Sequence, residues 1–342
     1  MTTWPALLNR LISGAPLSTD EAAWAMERIM SGEAAPAQFG AFVSALRMRG
    51  ETIEEIAGMV ETMRRLALVV PVDGPLVDTC GTGGDRASTV NASTISAFIV
   101  AGAGGRVAKH GGRAATSACG SADLLEALGV RIDLGPDAVA ACIEEVGMGF
   151  CFAPVFHPAM RHAIPLRREL GVPTVFNFLG PLTNPARARH QALGVSDRTM
   201  APKMANVLAR TGSVHALVLH GSDGLDEITL SGPTLVWELK GGEVTEWEIH
   251  PEDLGIAPAS RELLRGGPPA HNAEIAQAVL AGEAGPVRDF VLLNAAAALV
   301  AADLAEDLKT GFDQAAESID SGRALALISR LREVSNRLAP PG

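Results

Sequence analysis

From residue 76 onward, short apolar runs alternate with longer segments of helical periodicity. This alternation is typical of βαβ units, in which helices connect parallel strands. It predicts an α/β architecture with a mostly parallel central sheet. The strand candidates are residues 76–77, 107–108, 130–134, 149–153, 174–178 and 214–220. Residues 234–249 are predicted to form a hairpin that turns at Gly241-Gly242, and residues 93–103 and 272–338 are predicted to be helical.

The first 70 residues have a different pattern and are predicted to form successive helices. Ser18 and Glu21 have the spacing of a capping box, as do Thr52 and Glu55, so each pair indicates the start of a helix. These helices would form a small domain. Their apolar faces could pack against the rest of the chain or against a second copy.

Charge and composition exclude several classes of function. The net charge of -11 disfavours nucleic acid as a partner, because phosphate backbones are bound by basic surfaces. No apolar run approaches the roughly 20 residues of a membrane-spanning helix, and the first residues do not resemble a secretory signal. We therefore expect a soluble, cytoplasmic protein without a membrane partner. The four cysteines lack C-x-x-C spacing and are expected to be free thiols.

A glycine-rich turn, residues 78–85, lies between the first predicted strand and the next predicted helix. Its glycines allow backbone N–H groups to approach a phosphate, and the helix N-terminus adds partial positive charge. Thr89, Asn91, Ser93 and Thr94 add polar groups near the helix start. The turn lacks the Gly-Lys-Ser/Thr of a Walker loop and the last glycine of G-x-G-x-x-G. It predicts an anion site, and the alternative is a tight turn with an ordinary helix cap.

A second glycine-rich loop contains Lys109, His110 and Arg113, followed by hydroxyl groups. Two permanent cations with glycines between them suit a loop that wraps phosphate oxygens. The alternative is a solvated surface loop.

An acidic turn, Asp223-Gly224-Leu225-Asp226-Glu227, follows a predicted strand. Adjacent carboxylates at the carboxyl end of a parallel strand can bind Mg²⁺ together with substrate phosphates. An acidic turn that binds nothing is the alternative.

Three arginines follow His157 and could bind a carboxylate through two parallel hydrogen bonds. Their chemistry alone does not distinguish Arg161, Arg167 and Arg168, and each could instead lie on a solvated helix face.

Five blocks occur in a specific order: G-T-G-G-D with N-x-S-T; K-H-G-x-R with G-S-A-D-L-L-E-A-L-G; H-P-A-M; N-F-L-G-P-L-T-N-P; and D-G-L-D-E. Together they resemble the anthranilate phosphoribosyltransferase family of tryptophan biosynthesis, over nearly the whole chain. The resemblance implies a nucleoside phosphorylase-like phosphoribosyltransferase fold. A small N-terminal all-α domain (residues 1–70, with a helical contribution from about 165–185) would join a larger α/β domain (residues 71–342). It also implies an active site between the domains and a homodimer through the helical domain.

The resemblance assigns three sets of site residues by position. Those implied to contact phosphoribosyl diphosphate are Gly81, Gly84, Asp85, Thr89, Asn91, Ala92, Ser93, Thr94, Lys109, His110, Gly111, Gly112, Arg113, Ala114, Ala115, Thr116, Ser117 and Ser121. Those implied to contact anthranilate are Gly81, Gly112, His157 and Arg167. Those implied to hold Mg²⁺, with two ions expected per monomer, are Ser93, Asp226 and Glu227.

The implied reaction is attack of an aromatic amine on C1 of the ribose as diphosphate leaves. The amine is neutral at pH 7, so no general base is assigned, and Lys109 and Arg167 are expected to act by charge and positioning. Gly112 departs from the family, which usually has asparagine there. The alternatives are a nucleic-acid-binding, non-catalytic relative of the same fold, or a transferase or phosphorylase with another acceptor.

Overall fold

The computed structural model describes residues 2–114 and 117–339, and the chain begins with a group of helices. These are α1 (Trp4–Ile12), α2 (Thr19–Met30), α3 (Pro36–Arg49) and α4 (Ile53–Leu66). Both predicted capping boxes are confirmed: Ser18 and Glu21 begin α2, and Thr52 and Glu55 begin α4, by reciprocal side-chain to backbone hydrogen bonds.

A single mixed sheet lies at the centre of the larger part of the chain. Within the described residues its strands are β1 (Val77–Gly81), β2 (Val107–Gly111), β3 (Met148–Phe152), β4 (His190–Gly194), β5 (His215–Gly221), β6 (Thr234–Lys240) and β7 (Glu243–Ile249). Their order is β3-β2-β1-β4-β5-β6-β7. The first five strands are parallel, whereas β6 and β7 form the predicted antiparallel hairpin at the edge.

Helices flank this sheet and connect its strands. They are α5 (Ala92–Gly102), α6 (Ser121–Ala127), α7 (Pro136–Val146), α8 (Ala153–Phe156), α9 (Ala163–Leu170), α10 (Phe176–Leu179), α11 (Ala201–Arg210), α12 (Pro269–Leu280), α13 (Pro286–Ala301), α14 (Leu308–Asp320) and α15 (Arg323–Arg337). Short 3-10 turns cover Pro158–His162, Gly180–Leu182, Pro251–Leu254 and Arg261–Leu264.

Two hydrophobic cores lie on opposite faces of the sheet. Leu217 and Leu219 of β5 belong to a core that also includes α5, α13 and α15. Ala216 and Val218 alternate with them and belong to a core shared with α1 to α4 and α9 to α11. A small N-terminal helical domain therefore packs on a larger α/β domain with a mostly parallel sheet, which confirms the predicted fold class.

Two of the predicted strands are wrong. Residues 130–134 do alternate between buried and exposed side chains, but they pair with no strand of the described chain, and Arg131 donates a backbone hydrogen bond to Ser335 Oγ of α15 (3.0 Å). Residues 174–178 form a turn and the start of α10, because the Asn177 side chain accepts a hydrogen bond from the Thr174 N–H (3.0 Å). Strand β4 was missed because it starts with two polar residues, His190 and Gln191.

All four cysteines are buried free thiols, as expected. Among the helices of the described residues, none combines the length and the apolar character that crossing a membrane requires.

The contact between α2 and α4 depends on Gly58. A Cβ at this position would lie 2.2 Å from the Thr19 carbonyl oxygen, so Gly58→Ala must push α2 away from α4. We expect the free energy of unfolding to fall by about 1 to 3 kcal/mol, the range of an overpacked core. Gly40→Ala in α3 is the matched control: its Cβ would meet nothing within 4 Å, and better helix propensity should leave stability unchanged or raise it. Urea unfolding of both variants measures the difference, and equal stabilities would contradict the prediction.

Candidate active site

The candidate site lies at the carboxyl ends of the parallel strands. β1, β2, β4 and β5 end at Gly81, Gly111, Gly194 and Gly221. The strand order reverses around β1, and in open α/β sheets this is where ligands bind. A cavity of about 340 Å³ opens at this edge.

Most of the predicted site residues line this cavity. These are Gly81, Gly84, Asp85, Thr89, Asn91, Ser93, His110, Gly111, Gly112, Arg113, Ala114, Ser117, Ser121, Asp226 and Glu227. The predicted residues that do not line it are Ala92, Thr94, Lys109, His157 and Arg167. Ala115 and Thr116 lie outside the described residues.

The first glycine-rich turn is fixed in a conformation that needs glycine. Gly83 and Gly84 have φ of 66° and 85°, in the left-handed region. Ser196 Oγ donates to the Gly83 carbonyl (2.7 Å), and the Thr82 N–H donates to the Gly194 carbonyl (3.0 Å). The turn is thereby anchored to the loop after β4, and it leads toward the N-terminus of α5.

Asp226 and Glu227 reach this turn because glycines occupy the ends of β1 and β4, where a side chain would collide with Asp226. A Cβ on Gly81 would lie 2.3 Å from Asp226 Oδ2, and one on Gly194 would lie 1.5 Å from the Asp226 carbonyl oxygen. Asp226 Oδ2 accepts a hydrogen bond from the Gly83 N–H (2.6 Å), and Glu227 Oε1 accepts one from the Ser93 N–H (3.2 Å). The acidic pair and the start of α5 therefore face each other.

The electrostatics of this acidic pair fit a divalent cation. Burial raises the pKa of both carboxyls, and the charge of a neighbouring carboxyl raises it further, that of Asp85 for Asp226 and that of Asp226 for Glu227. No cluster of three or more Asp, Glu, His or Cys side chains suited to a metal occurs among the described residues. Mg²⁺ needs only one or two protein carboxylates, since substrate oxygens and water complete its shell. Ser93, whose N–H binds Glu227, carries a hydroxyl that is a further oxygen donor.

Lys109 is fully buried beneath the first turn. Its ammonium donates to the Thr79 carbonyl and to Ser93 Oγ (3.3 Å). Burial lowers the pKa of Lys109, and the charges of Asp78 and Glu227 oppose that shift. Its charge therefore acts on the site from behind Ser93.

Asp78 is held by residues far away in the chain. Asn184 Nδ2 donates to Asp78 Oδ2 (2.7 Å), and the His110 N–H donates to Asp78 Oδ1 (3.1 Å). Asn184 is the asparagine of the N-F-L-G-P-L-T-N-P block that precedes its last proline, so part of that block supports the site from below. Sequence reasoning noted the block without finding this role.

Arg113 is turned away from the cavity centre, toward α6. It pairs with Asp123 Oδ1 (2.9 Å) and with both Glu126 oxygens, and its guanidinium lies 5.7 Å from the centre of the Phe152 ring. Gly112, in the same loop, does not have a positive φ, and a Cβ there would meet nothing within 4 Å.

His110 and His157 form a buried pair beside the cavity. Their ring centroids are 5.1 Å apart, and the Nε2 atom of each has no hydrogen-bond partner among the described residues. Burial lowers the pKa of His110 to about 3 and that of His157 to about 4, so both imidazoles are neutral at pH 7.

Arg167 differs from the two other candidate arginines. Arg161 and Arg168 are exposed, whereas Arg167 is half-buried and lies 5.5 Å from the centre of the Phe176 ring. Burial lowers the pKa of its guanidinium, and no carboxylate of the described residues counteracts this. Arg167 can therefore accept an anionic partner.

Asn177 is a cavity-lining residue that sequence reasoning missed. It follows Phe176 and so connects the cavity to the region of Arg167. Its position within the N-F-L-G-P-L-T-N-P block was the available signal.

Comparison with known proteins agrees with this geometry. Residues 5–67 match the helical bundle domain of a glycosyl transferase family, and residues 73–325 match the α/β domain of that family. A protein of Chloroflexus aggregans named anthranilate phosphoribosyltransferase is 58% identical over 321 residues, which is 93% of this chain and 94% of that relative.

Solved structures of similar proteins have the same fold. Anthranilate phosphoribosyltransferase of Thermus thermophilus superposes with a TM-score of 0.92 at 44% identity, over 96% of this chain and 99% of that one. The enzyme of Saccharomyces cerevisiae, in complex with phosphoribosyl diphosphate and Mg, has a TM-score of 0.90 at 29% identity, with 98% of each chain covered. With this likeness over almost its full length, and with the glycine-rich turns and the acidic pair meeting at one cavity, the chain belongs to the anthranilate phosphoribosyltransferase family.

Proposed function

We infer that this chain is an enzyme that transfers the 5-phosphoribosyl group of phosphoribosyl diphosphate to the amine of anthranilate. The products are diphosphate and N-(5-phosphoribosyl)anthranilate, an intermediate of tryptophan biosynthesis. The observation that carries this inference is the acidic pair of buried Asp226 and half-buried Glu227, which faces the turn 81–85 in a chain 58% identical to a member of the family.

The phosphates would lie between the two glycine-rich loops. The backbone N–H groups of Thr82, Gly83 and Ser93 are already bonded to protein oxygens, so the N–H groups of Gly84 and Asp85 in the first turn would be the donors to a diphosphate. Lys109 adds positive charge behind Ser93 without leaving the protein interior. We assign phosphoribosyl diphosphate to the cavity-lining residues of both loops, and Ala92, Thr94 and Lys109 to their support.

Asp226, Glu227 and Ser93 are the residues that would hold Mg²⁺, and we propose two ions per monomer. The ion, when bound, supplies positive charge that offsets the charge developing on the leaving diphosphate. The chain keeps the two carboxylates close together despite their mutual repulsion, so they are already placed for a cation.

Anthranilate would lie toward Arg167, His157 and Gly112. The half-buried guanidinium of Arg167 suits bidentate binding of the carboxylate. Neutral His110 and His157 would border the aromatic ring without adding charge. Because the attacking amine is neutral, the protein's task is to align it with C1 and to exclude water, and no general base is needed.

We propose a division at residue 70, with residues 165–185 contributing to the helical domain. α9 and α10 share their hydrophobic core with α1 to α4, which supports this division. A homodimer through the helical domain is supported by two large apolar side chains exposed there, Ile12 (75%) and Met48 (89%). A cytoplasmic location fits the biosynthetic role.

The metal assignment predicts a large effect of removing both carboxylates. Asp226→Ala with Glu227→Ala should lower kcat/KM by about 100-fold or more in saturating Mg²⁺, because stabilisation by a metal ion is worth several kcal/mol. Removal of Mg²⁺ from the unaltered enzyme should abolish turnover. The matched control is Glu252→Ala with Asp253→Ala, an exposed acidic pair with the same charge change. Circular dichroism verifies the fold, and wild-type activity of the first double variant would refute the assignment.

Arg167→Ala tests the acceptor site. Loss of charged hydrogen bonds worth about 1.5 to 3 kcal/mol should raise KM for anthranilate about 10- to 150-fold and leave KM for phosphoribosyl diphosphate nearly unchanged. Exposed Arg168 provides the control variant Arg168→Ala, for which we expect little change. If both Michaelis constants rise together in Arg167→Ala, the acceptor binds elsewhere.

Gly112→Asn tests the departure from the family pattern. The site has room for a side chain and an ordinary φ, so we expect no strain. The new amide should lower KM for anthranilate by up to about tenfold, the effect of one hydrogen bond, while KM for phosphoribosyl diphosphate stays the same. Steady-state kinetics decide the matter, and damage to both constants would show that this loop requires glycine.

A further inference from the structure

The backbone just after Glu227 is held by a single side chain from another element. The Ile228 N–H donates to Asn294 Oδ1 (2.8 Å), and Asn294 Nδ2 donates back to the Ile228 carbonyl (3.1 Å). Asn294 is buried in the middle of α13, 66 residues further along the chain. It therefore pairs with Ile228 as a neighbouring strand would.

Asparagine is suited to this task by its chemistry. A buried backbone N–H and a buried C=O both need partners, and a side-chain amide offers an acceptor and donors together. Asn294 Nδ2 also donates to the Phe290 carbonyl of its own helix (2.9 Å). That third bond fixes the orientation of the amide, with its oxygen toward the Ile228 N–H.

Asn294 acts from behind the site. It does not line the substrate cavity, but it lines a small void on the far side of Glu227, together with Thr79 and Ser96. Its hydrogen bonds go to Ile228 and to its own helix, so it would influence the site through the segment that it holds.

The segment needs such an anchor because its two carboxyls lie side by side and repel each other whenever both are ionised, as they would be with a cation bound. On one side, the Asp226 carbonyl is packed against Gly194. Further on, Thr229 Oγ1 donates to Asp223 Oδ2 (2.8 Å), which closes the acidic turn on itself. Between these points, Asn294 ties the residue next to Glu227 to a helix of the core.

We propose that Asn294 is a positioning residue for the metal-binding pair, which keeps Glu227 beside Asp226 and ready for a divalent cation. This inference rests on the proposed function, in which Asp226 and Glu227 bind Mg²⁺.

The test uses Asn294→Ala in the full-length enzyme with Mn²⁺ as the probe. Mn²⁺ binding in the presence of phosphoribosyl diphosphate, followed by electron paramagnetic resonance, should weaken about tenfold, as expected for loss of a buried hydrogen bond. Hydrogen exchange at the Ile228 amide should accelerate. The matched control is Ser318→Ala, which removes another buried side-chain to backbone bond, from Ser318 Oγ to the Ile99 carbonyl (2.8 Å), and should leave Mn²⁺ affinity unchanged.

A second variant, Asn294→Asp, keeps the shape and the acceptor but loses the donors and adds charge near Glu227. A carboxylate oxygen would then face the Ile228 carbonyl in place of Nδ2, so this variant should displace the segment and weaken Mn²⁺ binding despite the added negative charge. The double variant Asp226→Ala with Glu227→Ala distinguishes a failure of the metal assignment from a failure of the role proposed for Asn294. If that double variant binds Mn²⁺ normally, the metal assignment fails. If it loses Mn²⁺ while both Asn294 variants bind like the wild type, or keep the Ile228 amide protected, the role of Asn294 is refuted.

Discussion

A deficit of buried positive charge is the constraint on which the site depends. Among the described residues at the base of the cavity, the carboxyls of Asp78 and Asp226 are buried and that of Glu227 is half-buried, beside one buried ammonium, that of Lys109. Charges in a protein interior need partners, and one lysine cannot satisfy three carboxylates. This deficit would favour a cation in the proposed site. It also means that the surrounding chain must hold in place acidic groups that would otherwise separate.

The holding groups are small and neutral. Glycines at the ends of β1 and β4 leave room for the acidic segment. Two side-chain amides position the charged groups: Asn184 donates to the Asp78 carboxyl, and Asn294 bonds the backbone of Ile228, next to Glu227. An amide can donate and accept without adding charge, so it supports a charged group without altering the local balance. In the proposed mechanism, Asn184 and Asn294 would thus act without touching a substrate.

Local patterns in the sequence predicted the loops and the acidic turn, because glycine spacing and adjacent carboxylates act over a few residues. The burial of Lys109 could not be predicted in this way. It depends on Asp78, held by an asparagine 106 residues away, and on Ser93 of the following helix. Residues 130–134 show that a local pattern can also mislead. Strand-like alternation of buried and exposed residues arises wherever an extended segment covers a core, and here the segment lies against α15.

The ion pairs of Arg113 have a consequence for the proposed binding of a phosphate by the second loop. Its guanidinium already has two acidic partners on α6, and its side chain is half-exposed, so water and salt keep these pairs weak. A phosphate group that approaches the loop competes with Asp123 and Glu126 for the same donors. In the proposed binding mode, Arg113 would give a diphosphate only the difference between two ion pairings, a margin that would favour multiply charged ligands over singly charged anions.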